Sequence, residues 1–440
     1  MTLDSCTFYN NTADDYGGAI YSNGTLTITN SSLSYNSTEI GNGGAIYVYT
    51  NTVATVSDSY FQGNYASGTG GAIYSNGRLT VRTTDFLLNT AYSGKGGGIY
   101  SDSDLYGGRE LTLDQVSFSL NQAGMHGGGV YNHGGEFHIS NTSFTYNQAT
   151  SDGGGMYVYH DSPFSKIIDS SFKNNTAFED GGGFFTLYGD DFYFDRVIFE
   201  NNDADGDGGA IYNHSGHAFI YRSTIKSNSA GRDGGGLYDL NHLSIQYSVF
   251  SGNQAVQNGG AVYHGTGATG SGIENSTFYD NNADRGGGFY SLTTLIVRNC
   301  TLSANHATAT GGAVYGGFET AFENSILANS SSGGNCDNEG TKPTDGDNNI
   351  DSGATCGWGA TKGSMSNTNP LLGPLQLNGG LTKTMALLAG SPAVDAVIYN
   401  APNDCPEDDQ RGYPRPFGLR CDIGAFERYY RLFMPQVMKN

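Results

Sequence analysis

Proline and tryptophan are scarce in this chain of 440 residues, with 10 Pro and a single Trp. So little proline excludes a collagen-like or Pro-rich linker architecture. Charged residues make up only 14%, against about a quarter in ordinary domains. Lys, Glu and Leu are sparse, which argues against a largely helical protein. No apolar run reaches the roughly 18 residues of a membrane-crossing helix, so no transmembrane segment is expected. Positive charge is short as well: 21 Lys plus Arg face 42 Asp plus Glu, and the net charge of −21 makes nucleic acid a poor partner. What is plentiful is glycine, 67 residues, about twice the usual share. Aromatics are plentiful too, with 30 Tyr and 23 Phe, and such material for burial excludes a disordered chain.

Glycine is not scattered. A pentamer, Gly-Gly-[Ala/Gly]-apolar-[Tyr/Phe], begins at Gly17, Gly43, Gly70, Gly96, Gly127, Gly153, Gly181, Gly208, Gly234, Gly259, Gly286 and Gly311. The intervals run from 25 to 31 residues. A second signature, [Phe/Leu/Ile]-x-x-Asn, precedes each pentamer, as from Phe8 to Asn11, Phe61 to Asn64 and Phe144 to Asn147; a thirteenth copy runs from Ile326 to Asn329. Another apolar residue stands five places before the Phe, as at Leu3, Ile28, Val56, Leu113 and Val297. Alternation such as Leu26-Thr27-Ile28 marks half-buried strands, and the turn residues divide each unit into three of them. A unit this short cannot bury its own apolar face, so it must stack on its neighbours. The expectation is an all-β fold: a right-handed parallel β-helix of about 12–13 three-strand coils, a rod on the order of 60 Å long at about 4.8 Å per coil.

Stacking assigns a role to each residue type. The repeated Asn falls at a corner, where its amide bonds to the copies above and below. The Gly pair allows positive φ at another corner. The fourth pentamer residue points inward. A small slot two residues before the Phe holds Ser59, Thr84, Thr142, Ser170 or Ser248, and in two coils Cys6 and Cys300. These two cysteines are too far apart to bond and are expected to be buried, Ser-like thiols. Cys336 with Cys356, and Cys405 with Cys421, are sequence neighbours in a loop-rich region and candidate disulfides, consistent with export.

The combination of Gly17-Gly18-Ala19-Ile20 with Phe8 to Asn11, repeated over about residues 1–330, resembles the repeats of the polymorphic outer membrane protein family. The resemblance implies right-handed β-helical passenger domains on bacterial surfaces, associated with adhesion. The stretch 333–427 resembles the choice-of-anchor C-terminal regions of secreted bacterial β-helix proteins. Its matching motifs include Asn378-Gly379-Gly380, Asp409-Gln410-Arg411-Gly412 and Asp422-Ile423-Gly424-Ala425-Phe426-Glu427. That likeness implies export or surface location and no chemistry.

The expected organisation is a β-helix over 1–330, a cap or anchor-type region over 331–427, and a basic, strand-like tail over 428–440. Met1-Thr2-Leu3 aligns with the first strand of a coil, so the chain is expected to begin inside a repeat, after processing or truncation.

Two rows of side chains are candidate sites. The position before the Gly pair reads Lys95, His126, Asp152, Asp180, Asp207, Asp233, Asn258 and Arg285 in successive coils. Four stacked carboxylates recruit a cation or raise one another's pKa, and Asp203-x-Asp205-x-Asp207-Gly208 resembles the first half of a calcium loop, although His214 stands where its Glu belongs. Ordinary Asp-Gly turn chemistry is the expected reading; weak calcium binding competes with it and makes calcium the candidate cofactor. The fifth pentamer residue is Tyr in eleven coils, among them Tyr21, Tyr47, Tyr74, Tyr100, Tyr131 and Tyr157, with Phe185 the exception. The rings are expected to stack on one another and shield the corner; an outward ladder offering a surface for a glycan or a host or cell-surface ligand is the alternative.

The function expected is non-enzymatic: an exported, extracellular or cell-surface rod with an adhesive or structural role. Head-to-tail self-association into filaments, through the tail and an open first coil, is expected as a variant. The alternative is a polysaccharide lyase or glycoside hydrolase using the ladder from Asp152 to Asp233, with Arg232 or His126 beside it. Near-uniform coils, with no long groove-forming insertion, count against that alternative.

Overall fold

The computed structural model describes residues 1–102, 110–160, 165–189, 191–265, 270–316, 319–337, 342–397 and 405–429. Four parallel sheets wind around one channel: two of 14 strands and two of 12, each strand paired with its counterpart one coil away. The first sheet runs from Thr2–Asp4 to Thr344–Asp347 and the second from Thr7–Tyr9 to Ile350–Asp351; the fourth runs from Ile20–Ser22 to Val314–Gly316. The third, from Thr12–Ala13 to His306–Thr310, is the strand the three-strand expectation lacked. Most of its members are two residues long, too short for alternation to register.

The channel is filled by the residues the periodicity singled out. Ile28, Phe61, Ile73, Leu113, Phe144 and Met156 are all buried in one continuous cluster. Phe61, Phe86, Phe118, Phe144, Phe172 and Phe199 stack with centroids 4.4–5.0 Å apart, the spacing of the coils themselves. Outside them runs an unbroken asparagine ladder from Asn11 to Asn305. Each Asn Oδ1 accepts from the backbone and side-chain N–H groups of the Asn before it, and each amide also donates to a carbonyl of the preceding coil, as from Asn147 to Phe118. At the next corner the first Gly of every pentamer has φ between 60° and 70°, open to glycine at no steric cost.

The small slot forms a ladder of its own. Thr142 N–H donates to Ser170 Oγ, and Ser170 Oγ donates to Ile168 O. Cys300 takes this place fully buried, its thiol 3.1 Å from Arg298 O. Cys6 differs from expectation in being only half-buried, because it lies in the first coil, with a neighbour on one side.

The far end departs from the sequence reading in two ways. The apparent thirteenth Phe-slot residue, Ile326, is displaced by one: Leu327 pairs with Leu302, Ile326 pairs with Thr301, and Asn329 is exposed. The helix also passes the boundary placed at 330, since Thr344–Asp347 and Ile350–Asp351 add a further rung to two sheets. Disulfides join Cys336 to Cys356 and Cys405 to Cys421.

The segment beyond folds back along the rod's flank. Gln410 Nε2 donates to Ser248 O at 3.1 Å while its Oε1 accepts from Thr277 Oγ1 at 2.6 Å. Tyr247 donates to Asp408, Thr382 to Tyr247 O, and the Ala425 N–H to Thr301. Four coils are bridged. Their outward second-sheet residues, Val249, Thr277, Thr301 and Ile326, are buried, whereas their counterparts Asp85 and Ile198 are exposed. The motifs of this segment are its own scaffold. Asp409 accepts from the backbone N–H groups of Arg411 and Glu427, and Arg415 donates to Asp422 O and Gly424 O. Of the tail, only Arg428 and Tyr429 are described; residues 430–440 lie outside the described residues.

Candidate functional site

The Gly-pair corner carries both candidate rows, and in both the side chains are engaged with one another. Asp152 Oδ1 accepts the Asp180 N–H at 3.1 Å, Asp180 Oδ1 the Asp207 N–H at 2.7 Å, Asp207 Oδ1 the Asp233 N–H at 3.0 Å, and Asp233 Oδ1 the Asn258 N–H at 2.8 Å. Each carboxylate thus caps the turn of the next coil. Arg232 bridges Asp180 at 2.9 Å and Asp207 at 3.1 Å, and His126 Nδ1 lies 3.0 Å from Asp152. Burial pushes the Asp207 carboxyl up to about 6 and raises Asp180 and Asp233 as well, against the hydrogen bonds and Arg232, which pull the other way.

The calcium expectation finds no ligand cluster here. Among the described residues no three His, Cys, Asp or Glu side chains gather as metal ligands. Asp203 and Asp205 are exposed on the outer surface, while Asp207 is 9% exposed and turned into the ladder. The chain turns between them at Gly206, so the spacing of a calcium loop is present without its convergence.

The tyrosine row is a self-stacked column. Rings from Tyr47 to Tyr315 follow one another at 4.6–5.3 Å, with interplanar angles of 2–17°. Tyr131, Tyr157, Phe185 and Tyr212 are buried, and Tyr21, at the first coil, is 49% exposed. The rings therefore stack on one another as the self-stacking reading has it: in the middle of the column both faces of each ring are taken by neighbours. Burial pushes the Tyr263 phenol up to about 12 and raises Tyr74, Tyr100, Tyr131 and Tyr157 further. Lys95 Nζ accompanies the column, 3.1 Å from the Tyr131 hydroxyl.

A different face carries a second aromatic pair. On the outside of the first sheet the first five coils present Thr, as at Thr27, Thr55 and Thr80. Two successive coils present Tyr193 and Phe219 instead, stacked at 4.4 Å and 7°. Period-two alternation through Phe192-Tyr193-Phe194 placed Tyr193 outward; that was the available signal. Two depressions, about 280 and 320 Å³, flank this pair and share Phe219 and Ser244.

The family described as right handed beta helix region matches residues 1–176 and 45–230, together more than half of the chain. A Chlamydia polymorphic membrane protein repeat matches residues 247–265. No curated protein matches the chain.

Proposed function

The chain belongs to the right-handed β-helix family, and from that premise we propose that it is a non-enzymatic rod displayed at a bacterial cell surface, with an adhesive or structural role. The observation that carries the non-enzymatic part is the state of the aspartates: they are spent on backbone N–H groups and Arg232, along a corner that repeats coil after coil. Two further observations support a surface location. One repeat matches a polymorphic membrane protein repeat, and two disulfides suit an oxidising compartment. Among the described residues no helix is long and apolar enough to cross a membrane.

The test is to incubate the purified protein with acidic polysaccharides, with and without calcium. No product release is expected. Release that disappears in Asp180→Asn would overturn the non-enzymatic reading in favour of a lyase or hydrolase. Labelling of intact producing cells with a membrane-impermeant reagent tests the location, and labelling only after lysis would reject it.

Head-to-tail assembly is the finer part of the proposal. In its favour, the tail 428–440 carries Arg428, Arg431 and Lys439 and no acid, on a chain of net charge −21. Deleting 428–440 is expected to leave monomers in electron micrographs, and unchanged filaments would reject the idea.

A further inference from the structure

The aromatic stack on the outer face of the first sheet stops abruptly. Tyr193 is followed in register by Phe219, then by Ser244, Gly272 and Ile296. One face of the Phe219 ring rests on Tyr193. On its other side come two residues with little or no side chain. A Cβ placed on Gly272 would meet nothing nearer than 3.8 Å, and one on Gly270 nothing within 4 Å. From Phe219 to Ile296 is three rungs, about 14 Å along the axis, so among the described residues a slot two rungs wide opens against the second face of the Phe219 ring.

The slot has polar walls. His217 and His242, with ring centroids 4.2 Å apart, stand on one side. Tyr221 and Gln246 stand on the other, and Ser244 supplies a hydroxyl at the floor. A greasy flat wall with hydrogen-bonding groups on both flanks fits a ligand that is itself apolar on its faces and polar around its edge. A pyranose ring with equatorial hydroxyls has that form: C–H groups above and below, O–H groups at the rim. An apolar peptide side chain would leave Gln246 and Ser244 without partners, which costs free energy, while His217 is held by Asp191 at 3.2 Å. The net charge of −21 disfavours uronic acids and favours a neutral sugar.

We propose that the slot bounded by Phe219, Ser244 and Gly272 binds a neutral oligosaccharide of gluco configuration, one ring stacking on the free face of Phe219. The inference deepens the adhesive reading above and rests on it only for its biological sense. The site faces solvent, with Phe219 itself part-exposed, so binding is expected to be weak per ring and to gain from repeated presentation.

The experiment is calorimetric titration of the full chain with cellohexaose and with chitohexaose, oligogalacturonate serving as the acidic control. Wild type is expected to bind at least one neutral hexamer. Phe219→Ala is expected to weaken it at least tenfold. Ser244→Tyr, which continues the stack and fills the slot while leaving the inward residues untouched, is expected to abolish it. Binding that survives Ser244→Tyr overturns the proposal, as does absence of binding to both neutral sugars at millimolar concentration. Either failure would leave the surface-labelling and product-release results standing, so the two readings fall separately.

Discussion

The amide of Asn147 makes four hydrogen bonds: it donates to Phe118 O and Asn175 Oδ1 and accepts twice from Asn121. All of these groups are buried, so Asn147→Ala strands donors and an acceptor together. At about 1–3 kcal/mol per stranded group, a local loss of about 3 kcal/mol or more is expected. Hydrogen exchange should report it as lost protection in the coils of Asn121, Asn147 and Asn175. Asn11→Ala, at an exposed corner, should change protection little. The aspartate ladder gives a prediction with a sign. The Asp207 carboxyl is raised from 3.8 to about 6, so between those values the folded chain holds a proton the unfolded chain releases. Its contribution to stability is full below about pH 4 and declines as pH rises through about 6. Asn serves in the same slot at Asn42, whose Oδ1 accepts the Thr69 N–H of the next coil. Asp207→Asn should therefore raise the melting temperature at pH 8, by the equivalent of about 1 kcal/mol, and leave it nearly unchanged at pH 4; equal shifts at both would reject the burial argument. The asparagine role was legible in the sequence because one residue type recurs at one phase of the repeat. The fate of Ile326 was not, for Ile-x-x-Asn is matched there by a segment whose register has slipped by one.

Within the elements, stacking sets the stakes. The ring of Tyr157 lies between Tyr131 at 4.9 Å and Phe185 at 4.7 Å and is buried. Tyr157→Ala should cost about 3–5 kcal/mol, in the range of large aromatic truncations in cores. Tyr21→Ala, at the 49% exposed start of the column, should cost under about 1 kcal/mol. Tyr157→Phe should be tolerated, because Phe185 occupies the same column. Urea denaturation of the three variants separates these outcomes, and equal losses for Tyr21 and Tyr157 would show that the column is not cooperative. The inward strands were readable from alternation over three to five residues. The two-residue third-sheet strands carry no such pattern and emerge only from pairing with their counterparts, as Gln122–Ala123 pairs with Gln148–Ala149.

At the scale of the whole molecule, the C-terminal segment is a brace along the flank. Gln410 is its deepest anchor, bonded to Ser248, Thr277, Thr382 and Lys383. Gln410→Ala should open the segment to limited proteolysis while leaving exchange protection in the early coils intact. Burial, then the neighbouring Glu427, push the Asp422 carboxyl up to about 7, so the brace should loosen as pH rises from 5 to 8, and Asp422→Asn should flatten that dependence. Faster cleavage at pH 5 than at pH 8 would contradict the sign. The repeats say little of this docking: Thr277 and Thr301 stand where other coils have Thr7 and Thr224, and Ile326 stands where Ile198 is exposed.

The brace gives the rod a mechanical polarity. A coil held only by the coils on either side of it can peel away singly, but those at Tyr247, Asn275, Thr301 and Asn324 are clasped by one covalent segment and must let go together. Under tension or attack by a protease, unravelling is expected to travel through the early turns and stall where the clasp begins.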